Sequence, residues 1–250
     1  MKENRYDDAG FFAKYSQMER SQKGLEGAGE WETLRDMLPD FGGKRVLDLG
    51  CGYGWHCRYA VQQGAAEVLG IDLSERMLSV AREKGEDPRI RYQRSAAEDL
   101  QLAPASFDVV ISSLMLHYLE DVPVLFARVY DWLRPGGVLV FSAEHPIFTA
   151  AGSQDWVYRP DGSIDHFPVD HYFYEGRREA CFLGEPVIKY HHTLTTYLRG
   201  LLRAGFIVTD LAEPQPPERM RESVPGMQDE MRRPMMLIVC AQKPRGSAII

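Results

Sequence analysis

The chain has 250 residues, 44% of them hydrophobic and 26% charged, with a formal net charge of −7. These proportions suit a globular protein with a substantial core, one large domain or a domain with a cap, and the acidic balance argues against a broad phosphate-binding face. The start Met1-Lys2-Glu3-Asn4-Arg5 is polar and unlike a signal peptide, no apolar run reaches the ~18 residues of a membrane span, and a cytoplasmic location is expected. Residues 1–42 read as an N-terminal helical cap. Phe11, Phe12 and Tyr15 can share one helical face, and Trp31, Leu34 and Leu38 a second at i, i+3, i+7 spacing that ends at Pro39. Between them lies Tyr15-Ser16-Gln17-Met18-Glu19-Arg20-Ser21, which is polar for a packing helix.

The next stretch organises the chain. Val46-Leu47-Asp48-Leu49 reads as a short buried strand, and Gly50-Cys51-Gly52-Tyr53-Gly54 breaks it into a tight turn. Glycines there let backbone pass close to something bulky or take positive φ. Trp55, Tyr59 and Ala60 suit the opening of a helix whose free N–H groups face the turn. A dinucleotide fingerprint wants Gly-x-Gly-x-x-Gly, but the third position is Trp55, with Gly54 one place early. Asp48-x-Gly50-x-Gly52-x-Gly54 resembles instead the first motif of the class I S-adenosylmethionine (SAM)-dependent methyltransferases. Leu69-Gly70-Ile71-Asp72 ends the next apolar run roughly 20 residues on, where an acid can grip ribose hydroxyls. A structural glycine turn in some other α/β protein is the alternative. The N-terminal segment resembles that of the type 11, small-molecule subgroup of these enzymes, in which it folds over the cofactor. The resemblance implies that Tyr15 packs near the methionine moiety and Arg20 pairs with its carboxylate, a match of planar fork to carboxylate. A solvated charge on a surface helix is the other reading of Arg20.

From Lys44 onward short apolar runs alternate with amphipathic stretches, the pattern of βα units on a parallel sheet. Ala66 to Ile71 is the second strand, and Ser74 caps a helix marked by Leu73, Met77, Leu78 and Ala81. In methyltransferases the residue after the ribose acid and an apolar one a turn later enclose the adenine, which implies Leu73 and Met77; Met77 also suits plain core packing. Ile90 to Arg94 is the third strand, followed by Ser95-Ala96-Ala97-Glu98-Asp99-Leu100, which resembles the family's adenine-reading loop. There the Ala97 N–H would meet a ring nitrogen and Glu98 (or Asp99) accept from the exocyclic amine. Phe107 to Ser113 is the fourth strand. With Leu114 to Leu119 it resembles the segment beside the methyl-donor sulfur, which brings in Ser113. Val122, Leu125, Phe126, Val129, Tyr130 and Leu133 keep helical phase over three turns. Arg134-Pro135-Gly136-Gly137 is expected as the turn into a fifth strand over Val138 to Ser142.

Ala143-Glu144-His145-Pro146 leaves that strand at its carboxyl end, the edge where open α/β sheets hold ligands. Aromatic residues then crowd residues 145–192 (Phe148, Trp156, Tyr158, Phe167, Tyr172, Phe173, Tyr174, Phe182 and Tyr190). Alternation over Tyr172 to Leu183, with Gly184-Glu185-Pro186 turning into Val187 to Tyr190, predicts a hairpin in an insertion that caps the active site. Thr193 caps a helix with Leu194, Tyr197, Leu198, Leu201 and Leu202 as its stripe, stopped by Gly205. Phe206 to Leu211 and Met235 to Ala241 are the sixth and seventh strands, separated by a polar loop from Pro214 to Pro234, and a disordered tail is expected beyond Lys243. The cysteines at 51, 57, 181 and 240 have no CxxC spacing, so reduced thiols rather than zinc or disulfides are expected.

The expected architecture is α/β. It is a Rossmann-like, seven-stranded, mostly parallel sheet with helices on both faces, N-terminal helices and a small β-rich lid insertion. As a single domain it divides into the cap (1–42), a cofactor-binding core (43–144), the lid (145–192), the C-terminal part of the core (193–243) and the tail (244–250). The resemblance covers about residues 10–243; its departure is His192, where arginine is commoner after the first histidine. It implies SAM as cofactor and S-adenosylhomocysteine (SAH) as product. Methyl transfer from a sulfonium is an in-line displacement in which alignment alone supplies roughly 7–11 kcal/mol, and a base is needed only for a nucleophile that holds a proton. His145 and His117 follow strands at the carboxyl edge and are the candidate bases; an orienting or packing role is the alternative. His166, His171, His191 and His192 lack metal-ligand spacing, so no metal is expected. A small, partly apolar acceptor is expected, with O-, N- and C-methylation open, in a monomer or homodimer. Methylation of tRNA or protein is the second enzyme reading, motivated by Arg219, Arg221, Arg232 and Arg233 and opposed by the acidic total. A SAM-binding regulatory protein without turnover is the third.

Overall fold

A computed structural model describes residues 4–246. In the N-terminal segment, Asp8 accepts from the Phe11 N–H and caps α1 (Ala9–Tyr15); α2 (Glu19–Lys23) and α3 (Trp31–Met37) follow. The first βα units are β1 (Arg45–Leu49), α4 (Trp55–Gln62), β2 (Glu67–Asp72), α5 (Glu75–Glu83) and β3 (Ile90–Arg94). Ser74 and Thr193 cap as expected: Ser74 accepts from Met77 N–H to start α5, and Thr193 from Thr196 N–H further along. After β4 (Phe107–Ser113), Asp121 accepts from Val124 N–H to start α6 (Val122–Trp132). The Pro-Gly-Gly segment differs from expectation. Strand β5 runs over Leu133–Glu144, with Leu133 still paired to Phe107, and the register with β4 shifts before Val138 resumes opposite Val109. The expected turn is therefore an irregularity inside one strand. Gly136 at φ +83 donates to the Lys243 carbonyl, which ties the irregularity to the end of the chain's last strand.

Beyond β5 lie α7 (Pro146–Ala150), β6 (Val157–Tyr158), β7 (Ile164–His166), β8 (Gly176–Phe182) and β9 (Glu185–His191). Hairpin β8–β9 turns at Leu183-Gly184, one residue before the expected place; φ of +56 and +75 at the two positions is the pattern of a tight two-residue hairpin loop. Then come α8 (Leu194–Ala204), β10 (Ile207–Ala212), α9 (Glu218–Ser223), within the stretch expected as loop, and β11 (Met236–Gln242).

Among the described residues, seven strands form one sheet in the order β10-β11-β5-β4-β1-β2-β3, parallel except for β11, which is antiparallel to both neighbours. Alternation along the strands divides the core. Leu47, Leu49, Val110, Leu139 and Phe141 pack with α6 and α8 on one face, while Val46, Val68, Val109 and Ile111 pack with α4 and α5 on the other. Trp31 and Leu34 of α3 extend that second layer over Val140 and Ile238. At one edge, β3 carries Arg91, Gln93 and Arg94, charge and polarity that discourage pairing with another chain. The strand order reverses between β1 and β4, so their carboxyl ends open a crevice, the place where such sheets bind ligands.

Candidate active site

At the end of β1 the chain turns on Gly50, Gly52 and Gly54, with φ of +73, +52 and +70. Gly50 and Cys51 donate to the Ile71 carbonyl at 2.8 and 2.9 Å, which holds the turn against the end of β2. There Asp72 accepts from the Gly52 N–H and the Ser74 N–H, both at 2.8 Å, one on each carboxylate oxygen. Burial pushes the Asp72 carboxyl up to about 6. A side chain at Gly50 would meet Met115, since its Cβ would lie 2.6 Å from Met115 Cγ. Gly50, Gly52 and Asp72 line a cavity of about 920 Å³.

The N-terminal segment and the 145–192 insertion complete that cavity. Tyr6 sits edge-on to Tyr15, Phe11 and Tyr118, with its hydroxyl 3.0 Å from that of Tyr118. Asp7 ties the segment down beside Asp72: its Oδ1 accepts from Ser74 Oγ at 2.6 Å and from the Arg76 N–H at 3.1 Å. On the far side Lys14 pairs with Glu185 at 2.6 Å and Arg5 Nε donates to the Pro186 carbonyl, so one strap bridges α5 and the β8–β9 hairpin. Of the residues expected to hold cofactor, Tyr15, Arg20, Leu73, Met77, Ala97, Glu98 and Ser113 line the same cavity. Arg20 is braced by Glu30, its Nη2 lying 2.8 Å from both carboxylate oxygens.

Three expected site residues are not on the cavity wall: Asp48, Gly54 and His145. Gly54 takes a left-handed conformation at the head of α4, and a Cβ there would run into the Tyr92 hydroxyl, so packing explains this glycine. His145 caps α7: its Nδ1 accepts from the Ile147 N–H at 3.1 Å, which leaves the proton on Nε2, 2.8 Å from Glu213. A ring so engaged has no lone pair to offer a substrate, and burial holds it below its ordinary value. Asp48 is 1% exposed; Cys57 Sγ donates to its Oδ2 at 3.1 Å, and Oδ1 has no partner among the described residues.

Burial pushes the Asp48 carboxyl from 3.8 up to about 7. Between those values the folded chain holds a proton that the unfolded chain has released, so stability falls as pH rises across the window. At about 1.4 kcal/mol per unit, the loss is of order 4 kcal/mol by pH 8. Asp48→Asn keeps a carbonyl oxygen for Cys57 and removes the titration. Urea unfolding is expected to show the variant matched to wild type at pH 4 and more stable than it at pH 8. An Asn variant that is less stable at pH 8 would show that the carboxylate is favourable where it lies.

His117 does reach the cavity, in the 3-10 turn Leu116–Tyr118. Burial pushes its ring down to about 4, which makes it neutral at pH 7. The Glu144 N–H points at Nδ1 from 3.4 Å, and Nε2 lies 3.9 Å from Glu144 Oε1. Glu144, not among the expected site residues, lines the cavity and accepts from Lys189 Nζ at 2.5 Å and Gln154 Nε2 at 2.6 Å. The signal for Lys189 was its register: Val187, Lys189 and His191 are the buried face of β9, and a lysine on such a face needs a partner. The histidine pair holds the insertion to the core. His191 Nε2 meets the Tyr172 carbonyl at 2.9 Å and its Nδ1 Thr149 Oγ1 at 2.7 Å, while His192 Nε2 meets the Leu119 carbonyl at 2.8 Å. Only part of the aromatic crowd faces the cavity (Phe148, Phe182 and Tyr190). Trp156 and Phe167 instead join Phe148 around the Arg233 guanidinium, 4.4 to 4.8 Å from each ring, and anchor the loop before β11.

Residues 47–141, the span that holds the glycine turn and Asp72, match a family model described as a methyltransferase domain. A SAM-dependent methyltransferase structure from Mesorhizobium loti is 46% identical and covers 88% of this chain and all of that one, with a TM-score of 0.81. A candidate SAM-dependent methyltransferase from Listeria monocytogenes is 51% identical over 88% of this chain and 99% of its own, with a TM-score of 0.83. The chain belongs to the SAM-dependent methyltransferases. An uncharacterized protein of Haemophilus influenzae is 33% identical over 249 residues, 95% of this methyltransferase and 96% of the relative, so the likeness extends well beyond residues 47–141. Among the described residues of this methyltransferase, no helix is long and apolar enough to cross a membrane.

Proposed function

We propose that this methyltransferase transfers the methyl group of SAM to a small, partly apolar acceptor enclosed under the 145–192 insertion. The supporting observation is one cavity of about 920 Å³ that has the glycine turn and Asp72 on its wall together with Phe148, Phe182, Met220 and Met227. The residues present fit the cofactor: a turn with no room for side chains at Gly50, and a carboxylate at the end of β2. Asp72 accepts from the ribose hydroxyls, Gly50 and Gly52 give backbone to the amino-acid end, and Arg20, braced by Glu30, takes the carboxylate. Leu73 and Met77 flank the adenine, with Ala97 and Glu98 at its polar edge. Tyr15 lies by the methionine moiety and Ser113 at the mouth of β4. Bound SAM supplies a methyl group already activated by the sulfonium charge. The rings of Tyr6, Tyr15 and Tyr118 on the cavity wall favour a cation in that space and exclude water from it. No titration near neutrality is required of His117, and His145 has no part in the chemistry.

Isothermal calorimetry is expected to show SAM and SAH binding to the protein, followed by methyl transfer from labelled SAM within a panel of small phenols, amines and carbon acids. Label appearing only in tRNA or protein would overturn the small-molecule reading.

A further inference from the structure

The acceptor side of the cavity is apolar, with Phe148, Phe182, Val187, Met220 and Met227 on its wall. Methionine suits a wall that must close on a shape without fixing it. Ion-paired carboxylates also line the cavity, among them Glu230, whose two oxygens are both taken by Arg233 of the same loop, and Glu144, whose partners come from two other elements. Lys189 Nζ donates to Glu144 Oε1 at 2.5 Å and to Gln154 Oε1 at 2.8 Å, and Gln154 Nε2 donates to Glu144 Oε2 at 2.6 Å, which closes a triangle. Its members come from the end of β5, the start of the insertion and the middle of β9. Lys189 is 2% exposed, and of the three only Glu144 lines the cavity.

Joining the insertion to the core does not require this. Each buried ion loses several kcal/mol of hydration, and apolar residues of similar volume commonly hold such a junction as well or better. What the triangle achieves is a carboxylate of fixed position that stays charged in an apolar room. An ionised carboxylate offers about four lone-pair sites; Lys189 and Gln154 take one on each oxygen, which leaves acceptor capacity on both. His117 beside it is neutral at pH 7 and adds no competing charge.

We propose that Glu144 anchors the methyl acceptor by accepting its hydrogen-bond donor, so that the acceptor is an apolar body bearing an O–H or N–H group. The proposal rests on the small-molecule reading above and sharpens it. Lys189 and Gln154 are positioning residues that act through Glu144 and do not touch the acceptor.

The test is calorimetry on the SAH-loaded protein with probes that share an apolar body: 4-propylphenol, 4-propylaniline and, lacking a donor, 4-propylanisole. Wild type is expected to bind the phenol or the aniline about tenfold more tightly than the ether, the factor of a hydrogen bond to a charged group; which of the two leads separates hydroxyl from amine acceptors. The paired change Glu144→Met/Lys189→Met leaves no orphaned charge and is expected to bring the ratio to about one. SAH binding by each variant reports that it folds. Should the pair fail to fold, Glu144→Gln/Lys189→Gln, which orphans no charge and keeps hydrogen-bonding groups in place, decides, with an expected fall in the ratio of about threefold as the acceptor becomes neutral. Equal affinities for all three probes in wild type, or a preference that survives in the variants, overturn the anchor and leave the small-acceptor reading standing. No binding of any probe overturns both.

Discussion

Asp72→Ala is expected to weaken SAH binding by about 100-fold or more while changing the stability of the unliganded protein little. The two effects separate because the proposed function gives the carboxylate a second set of partners, the ribose hydroxyls. In the unliganded protein it accepts from Gly52 and Ser74 N–H groups, and losing such a partner ordinarily costs about 1–3 kcal/mol for each donor left buried. Set against that, burial holds its carboxyl near 6, so the folded state carries a penalty for keeping the charge at neutral pH, and alanine removes it. Ribose hydroxyls have no such offset. Each hydrogen bond to an ionised carboxylate contributes about 1.5–3 kcal/mol, and two make a factor of about 100 at the low end. Calorimetric titration with SAH beside a thermal melt of the unliganded protein measures both quantities. The same carboxyl predicts weaker SAH binding as pH falls below about 6, where it takes up a proton. A variant that binds SAH within threefold of wild type would remove Asp72 from the cofactor site.

What could be read from the chain alone follows from how far apart the cooperating residues are. Strands β3 and β4 lie where the sequence places them, Ile90–Arg94 and Phe107–Ser113, because a short apolar or alternating run between turn residues is a local signal. The glycine turn and Asp72 carry theirs within one βα unit. The polar triangle does not: Glu144 and Lys189 are 45 positions apart, and Tyr6 and Tyr118 are 112 apart. Neither pair has a sequence pattern that names its partner. At His145 two local signals conflict. The strand it follows suggests a base, whereas Pro146 behind it, a proline at the first position of a helix with its cap residue before it, suggests the orienting role, and the structure shows His145 as that cap. The segment Leu133–Gly137 shows the opposite conflict. Pro-Gly-Gly is turn chemistry, yet Leu133 stays paired with Phe107 on β4, and hydrogen bonds of Gly136 and Gly137 with Lys243, just past β11, hold the segment extended until regular pairing resumes at Val138.

Gly54 is where a motif reading and a packing reading make different predictions. If it serves the cofactor, a small side chain there should damage binding; the structure says it should damage folding. Gly54 has φ +70, and a non-glycine residue in that conformation costs roughly 1–2 kcal/mol. The added Cβ would also meet the Tyr92 hydroxyl, with ring carbons Cζ and Cε1 at 2.9 and 3.0 Å behind it. Overpacking of this kind adds about 1–3 kcal/mol, so Gly54→Ala is expected to lose about 3 kcal/mol of stability. Tyr92 itself has a buried hydroxyl with no partner among the described residues, so Tyr92→Phe removes an unsatisfied group and is expected to be neutral or slightly stabilising. In the double variant the nearest clash is gone but the ring carbons and the backbone strain remain. Urea unfolding of the four proteins should therefore show a coupling of about 1 kcal/mol in favour of the double variant, with SAH affinity within a few-fold of wild type wherever the protein is folded. Strict additivity, or an intact fold that no longer binds SAH, would return Gly54 to the cofactor and leave Tyr92 a bystander.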